Sequence, residues 1–221
     1  MSQDNSQFVN KWRDAIEDIT NDVTDLIENR FVFNRVVKMV SENRELQQNN
    51  LYWDYLKLNH GSAMVLGISR QVDPDKHTYG LIKLLGDMSK NSPALTVDWF
   101  ISSYKNPTMD LGKLMGEKDF RENFGTGSHV DKKIIEEDIK ILKNATKIIL
   151  QFRHNRIAHK NKDKSLSFSL DFSEIGKALD VLEKLVIKYQ LLLNQVGFAD
   201  GLLPVIQYDW EEIFYESWLK K

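Results

Sequence analysis

The run from Asp131 to His159 restricts the fold more than any other part of the chain, because its inward face changes chemistry along its length. At about 100° per residue, Ile134, Ile135, Ile139, Ile141, Leu142, Ala145, Ile148, Ile149 and Phe152 share one arc. Lys140, Lys143, Lys147, Glu136, Asn144 and Gln151 share the opposite one, so the spacing predicts a long amphipathic helix. Carried past Phe152, the apolar arc receives Arg153, Arg156 and His159. A buried guanidinium or imidazolium without a partner is strongly unfavourable. These groups therefore line a cleft or an interface, or have partners elsewhere in the fold.

Helical periodicity extends over most of the chain. Helices are expected over about Gln7–Glu28 and Phe31–Gln47, and from Leu51 to a point before Pro74. Shorter ones are expected over about His77–Met88 and Leu95–Tyr104. Asp171 and Glu174 have capping-box spacing and open a helix over about Phe172–Gln195, with Gly197 as its stop. A last helix is expected over about Tyr208–Leu219. Residues 105–130 read as loop, and Ser165–Phe172 as loop rather than strand for want of a partner strand. Pro74, Pro93, Pro107 and Pro204 all fall in connections. There is no internal repeat and no low-complexity tract. The expected fold class is all-α, a helical bundle with additional helices, formed by one domain spanning residues 1–221.

Composition removes several kinds of function. The chain has no cysteine, which excludes disulfides, thiolate chemistry and Cys-ligated zinc. Its net charge is −2, so any contact with nucleic acid must come from a local patch. The polar Met1–Asn5 segment lacks a secretory apolar core, and the apolar runs are too short to span a bilayer. We expect a cytoplasmic protein without membrane contact. His60, His77 and His129 lack metal-ligand spacing and read as core or partly exposed histidines. Neither a metal nor another cofactor is expected. Gly125-Thr126-Gly127 lacks the Gly-Lys-Ser/Thr ending of a phosphate loop and reads as an ordinary turn. Tyr52, Trp53 and Tyr55, with Leu56 and Leu58, read mostly as core. Trp210, Ile213, Phe214 and Trp218 form a stripe read as docked on the core rather than offered to a partner.

Residues 153–164 stand apart. Arg153, Arg156, Lys160, Lys162 and Lys164 face a single acid, Asp163. The helix dipole accounts for cations at the C-terminal end, but not for arginines replacing aliphatics on the inward arc. An arginine near a histidine suits phosphodiester cleavage. Histidine exchanges protons near neutral pH, and the guanidinium fork matches phosphate oxygens. RNA carries its own nucleophile in the 2′-hydroxyl. On an ideal helix Arg153 and His159 lie about 120° apart. Their cooperation requires the helix to end near Ala158, or a second copy of the motif across a two-fold axis.

The segment Arg153-His154-Asn155-Arg156-Ile157-Ala158-His159 resembles the Arg–polar–His motif of HEPN domains. Its Ile157-Ala158-His159-Lys160 ending is similar to their abortive-infection branch. Ala63–Asp73 and the Leu81–Leu85 stretch resemble the upstream helices of that branch, so the likeness touches both halves of the chain. The resemblance implies a helical bundle, a homodimer and a metal-independent ribonuclease leaving 2′,3′-cyclic phosphate and 5′-hydroxyl ends. It also implies a place in antiviral or toxin–antitoxin defence, with an antitoxin or another protein partner. By position, Arg153 and His159 are the catalytic pair, with Arg153 on the scissile phosphate and His159 in proton transfer or phosphate positioning. His154, Asn155 and Lys160 fall to RNA binding, and Arg156 joins them from its place on the inward arc and not from the motif. His154 departs from the Asn or Asp common at the polar position. Asn161 stands where relatives silenced by AMP transfer carry a tyrosine, so that regulation is not implied. Some HEPN domains serve only in binding, and a non-catalytic interaction or RNA-binding module is the alternative. A helical DNA-binding regulator fits less well, given the near-neutral charge and the lack of a helix-turn-helix. Arg70 and Asp73 are placed to pair at i, i+3 or to reach toward the motif.

Overall fold

Apolar residues at helical spacing build nearly every element of the computed structural model, which describes residues 3–47, 51–75, 78–104, 115–158, 170–206 and 208–214. Among these residues there are seven α-helices and no strand: α1 (Gln3–Glu42), α2 (Leu51–Gln71), α3 (Leu81–Lys90), α4 (Val97–Ser103), α5 (Glu117–Phe124), α6 (Lys132–Phe152) and α7 (Phe172–Asn194). A π-helical turn, Arg153–Ala158, continues α6. The all-α expectation holds. Among the described residues no helix is long and apolar enough to cross a membrane.

Residues 7–47 were expected to form two helices and instead form the single helix α1, followed by a short 3-10 turn at Arg44–Leu46. Asn29 and Arg30, the residues between the two expected helices, do not bar helical geometry. Both have tertiary partners: Asn29 Oδ1 meets the His60 ring, and Arg30 pairs with Asp180. The inward stripe of α1, namely Trp12, Ile16, Ile19, Val23 and Ile27, runs unbroken at i, i+3/i+4 spacing and is fully buried. It packs against α7, whose Ala178, Leu179, Leu182, Val186, Tyr189 and Leu193 are equally buried. α1 packs on α2, α3 and α7, and α6 packs on the same three helices. α1 and α6 thus stand diagonally across the bundle.

The α2–α3 connection is tightly built. Gly80 precedes α3, and a Cβ there would lie 2.5 Å from the Arg70 carbonyl oxygen and 2.8 Å from Gln71 Cα. The helix start therefore presses on the end of α2. Gln71, also buried, receives the Leu81 N–H on its side-chain oxygen and donates from its amide to Asp22. One side chain thereby caps α3 and ties it to α1. α3 starts at Leu81, later than expected; His77 lies outside the described residues. α4 starts at Val97 because Thr96 caps it by accepting the Trp99 N–H.

The expected loop 105–130 contains a helix, α5. Phe120 and Phe124, four residues apart, bury themselves against Phe100 of α4, and the Tyr104 hydroxyl donates to Asp119 at 2.9 Å. Gly125, at φ 110°, ends the helix in a conformation that suits glycine. α7 begins as expected, with Asp171 accepting the Ser173 N–H rather than completing a reciprocal box with Glu174. It stops before Gly197, at Gln195, whose backbone is left-handed (φ 54°) and whose side-chain amide donates to the Leu192 carbonyl.

Two aromatic expectations change. Tyr52, Tyr55 and Leu58 are exposed rather than core, because in the first turns of α2 only Trp53 and Leu56 are half-buried, beside Phe33 and Val36 of α1. The helix expected over Tyr208–Leu219 is, within residues 208–214, only a 3-10 turn at Glu212–Phe214. That stretch nevertheless docks on the bundle: Arg35 forms a two-pronged pair with Glu211, at 2.6 Å on both prongs, and Trp210 meets Phe31 edge-on. Trp218 lies outside the described residues.

Candidate functional site

The inward line of α6 runs through Ile135, Asp138, Leu142, Thr146 and Ile149, all buried. Ile141 and Ile148, expected in that arc, sit at its margin and are exposed. The next position on the line is Arg153, where the regular helix stops. Its N–H is shared between the Ile149 and Leu150 carbonyls, and the turn beyond it is π-helical. A π-turn spaces backbone bonds five residues apart, and such insertions concentrate at functional sites. The 120° separation of Arg153 and His159 assumed an ideal helix; that premise does not hold across this turn.

Arg153 is not left unpaired. Its Nη1 donates to Asp73 Oδ2 at 3.2 Å, across 80 residues of sequence. Asp73 sits just past the end of α2, and its other oxygen accepts the Asp75 N–H at 2.9 Å. That backbone N–H, followed by the Arg153 guanidinium and the nearby Lys83 charge, holds the Asp73 carboxyl below the usual carboxylate range. The Asp73 side chain is 20% exposed and that of Arg153 33%. The arginine is therefore anchored at one edge while a third of its side chain stays open to solvent. Arg70 does not pair with Asp73 but lies 3.9 Å from Asp22 on the surface.

The other expected site residues divide clearly. His154 is exposed and Asn155 is half-buried, both in the π-turn. The backbone of Arg156 belongs to the same turn, while its side chain lies outside what is described. His159 and Lys160 lie outside the described residues altogether. The structure thus joins Arg153 to Asp73, and leaves the Arg153–His159 geometry unaddressed.

The other described histidines serve packing and local structure. His60 is buried, stacked on Phe33 with ring centres 3.8 Å apart, and its Nδ1 lies 2.5 Å from Asn29 Oδ1. Burial pushes its pKa down to about 4. His129 holds the Val130 carbonyl and forms an isolated bridge with Thr96. No cluster of His, Asp and Glu able to hold a metal occurs among the described residues. The Gly125–Gly127 turn is clamped by Arg121, which donates to the Thr126 carbonyl, and serves as a helix stop.

Sequence reasoning missed one buried polar centre. Asp138 accepts from Lys188 Nζ at 2.7 Å and from the Tyr189 hydroxyl at 2.8 Å, binding α6 to α7. Burial, then the Asp138 charge, raises the Tyr189 pKa well above its ordinary value. The signal was present: Asp138 lies on the inward line between Ile135 and Leu142, where an acid needs a partner.

Most of the architecture, including both segments that meet at Asp73 and Arg153, falls inside one family match. The family model described as AbiU2, a HEPN family, covers residues 10–212. No curated protein and no solved structure matches the chain. On the strength of that match, the chain belongs to the AbiU2 family of HEPN domains.

Proposed function

We propose that this HEPN protein is a metal-independent endoribonuclease that works as a homodimer in the cytoplasm, in an antiviral or toxin-type defence, with an antitoxin or other protein as a further partner. The observation that carries the reading is Arg153, its guanidinium anchored on one edge by Asp73 and its side chain one-third open to solvent, where α6 passes into a π-turn. An arginine held this way offers preorganised donors to a phosphate without first having to be ordered. In the reaction the RNA 2′-hydroxyl attacks the adjacent phosphorus and loses its proton. The bond from phosphorus to the 5′-oxygen breaks, and that oxygen gains a proton. The products are a 2′,3′-cyclic phosphate and a 5′-hydroxyl. Arg153 neutralises the charge that builds on the phosphoryl oxygens, and His159 moves a proton. His154, Asn155, Arg156 and Lys160 contact the RNA around the scissile bond.

The same ion pair favours a second reading. An arginine engaged by a carboxylate also describes a structural residue in a non-catalytic module that binds RNA or a protein. One experiment separates the two. Purified wild-type chain and His159→Ala are incubated with mixed single-stranded RNA and tRNA in EDTA, and the product ends are mapped. Cleavage by wild type alone, with cyclic-phosphate ends, supports the nuclease. No cleavage by either, together with an Arg153→Ala variant that chiefly melts early, supports the module. Equal cleavage by both proteins removes His159 from the mechanism.

A further inference from the structure

The outer face of α6 carries two lysines, Lys143 and Lys147, that neither helix stability nor ion pairing explains. Lys140, Lys143 and Lys147 fall within about 60° of one another around the axis, with Gln151 and Asn144 on the flank of the same arc. All five side chains are exposed. Lys140 is paired with Glu137 at 2.9 Å, and Lys132 with Glu136 at 3.3 Å, so the first turns of the face are close to neutral. Lys143 and Lys147 have no carboxylate within ion-pair reach among the described residues. The helix dipole does not call for them either. Its effect is confined to the last turn, and these lysines stand nine and five residues before Phe152. The unbalanced charge therefore lies in the second half of α6, ten and six residues before Arg153.

The opposite side of the bundle has the complementary character. Asp14, Glu17, Asp18, Asp25 and Glu28 are exposed on the outer face of α1, opposite its buried Trp12, Ile16 and Val23. Because α1 and α6 stand diagonally across the bundle, these faces point away from each other. A chain of net charge −2 thus has an acidic back and a basic front. Such a field orients a polyanion: one side repels it, and the other draws it along the lysines.

We propose that the outer face of α6 is the track on which the backbone of single-stranded RNA lies, with Lys143 and Lys147 on successive phosphates and Asn144 and Gln151 donating to phosphate or ribose. The track delivers the strand to Arg153. It reads charge and not sequence, since it offers mobile cations and amides rather than a pocket for bases. This inference rests on the RNA-cleaving reading above and adds to it the path by which the substrate arrives.

The test uses full-length chain carrying His159→Ala, so that bound RNA is not consumed. Binding of a 5′-fluorescein-labelled, mixed-sequence single-stranded RNA is followed by anisotropy over a range of salt concentrations. Adding Lys143→Ala and Lys147→Ala is expected to weaken binding at low salt by at least about tenfold. The slope of log affinity against log salt should become shallower by about 1.4, or roughly 0.7 for each phosphate no longer neutralised. A charge-matched control, Lys11→Ala with Lys38→Ala on α1, is expected to bind within about twofold of the parent. Melting temperatures of all three should coincide, because the four lysines are on the surface. If the parent binds RNA and the Lys143/Lys147 variant binds equally well, the track is wrong while the RNA reading stands. If the control is weakened as much as the variant, net charge and not this face governs binding, which also overturns the track. If the variant changes the molar mass by light scattering, the face is an interface between copies of the chain and not an RNA track. If the parent binds no RNA and wild type cuts none, the track and the nuclease reading fall together.

Discussion

Asp73→Asn tests whether the anchor of Arg153 matters, because it removes a charge while keeping the size of the side chain and an oxygen for the Asp75 N–H. At 3.2 Å the attraction between the two charges is about 5 kcal/mol at an effective dielectric constant near 20. Desolvation of a carboxylate that is only 20% exposed, and the ordering of a long side chain, offset most of it. The net value should lie between the roughly 0.2–1 kcal/mol of exposed pairs and the roughly 3–5 kcal/mol cost of breaking buried ones. We take about 2 kcal/mol, which for a chain of this size is a fall in melting temperature of about 4–8 °C. A double-mutant cycle with Arg153→Met should return most of that energy as coupling.

The pH dependence carries a sign that can be checked. The Asp73 carboxyl is held below its ordinary range in the folded protein. Its contribution is therefore fully present above about pH 4, the unfolded value, and is lost as pH falls through the lower folded value. The gap in unfolding free energy between wild type and Asp73→Asn, from urea melts, should be constant from about pH 5 to 8 and should close below about pH 4. In the cleavage assay Asp73→Asn should lower kcat by about tenfold or more while KM changes less, since a misplaced guanidinium weakens its hold on the transition state before it weakens binding. A variant that melts with wild type at pH 7, shows no coupling to Arg153 and cleaves normally would refute both the energetic and the positioning argument.

Three further outcomes are expected. Asp138→Ala strands Lys188 and the buried Tyr189 hydroxyl and should cost about 3 kcal/mol, whereas Tyr189→Phe should cost about 1–2 kcal/mol, both read from thermal or urea unfolding. Gly80→Ala drives a methyl into the backbone of Arg70 and Gln71, which cannot rotate away, and should lower stability by about 2–3 kcal/mol or more; an unchanged melting temperature would mean that the α2–α3 junction gives easily. His60 is held neutral with a pKa of about 4. The unfolded chain therefore binds more protons between about pH 6.5 and 4, and wild-type stability should decline over that window by up to about 3 kcal/mol. His60→Gln should flatten the decline, and an identical pH profile in the two proteins would remove His60 as its source.

How much of this was legible in the sequence depends on how local each feature is. α6 and α7 have long apolar stripes and Asp N-caps, and their starts follow within a residue or two; the limits of α2 follow from Leu51 and Pro74. The continuity of α1 across Asn29 and Arg30 was not legible, because their partners His60 and Asp180 lie 31 and 150 residues away. α5 was missed because eight residues with two apolar side chains give almost no periodicity; its stability comes from Phe100, on another helix. The exposed start of α2 was misread for the opposite reason, since aromatic composition does not show that a helix has outrun its neighbours. Inside the candidate site, the sequence showed that Arg153 must have an outlet on an otherwise apolar line. It did not choose between solvent and a partner, nor show whether Asp73 would turn toward Arg70 or toward the motif.

The answer at Arg153 is both outlets together, and this ties folding to the proposed chemistry. A fully exposed arginine would be mobile and would have to be ordered for every substrate. A fully buried pair would leave no donor for a phosphate. With a third of the side chain accessible and one Nη on Asp73, the guanidinium is oriented before any ligand arrives. The π-turn belongs to the same arrangement. In a regular α-helix, Arg156 and Ile157 would follow Arg153 at i+3 and i+4 on the buried line; a wider turn breaks that register just after the anchored residue. On its inward line α6 is mainly packed by apolar residues up to Ile149, and Arg153 is held by an ion pair. That change happens within four residues of one helix, against the end of α2, where the two segments that separately resemble HEPN sequence come into contact.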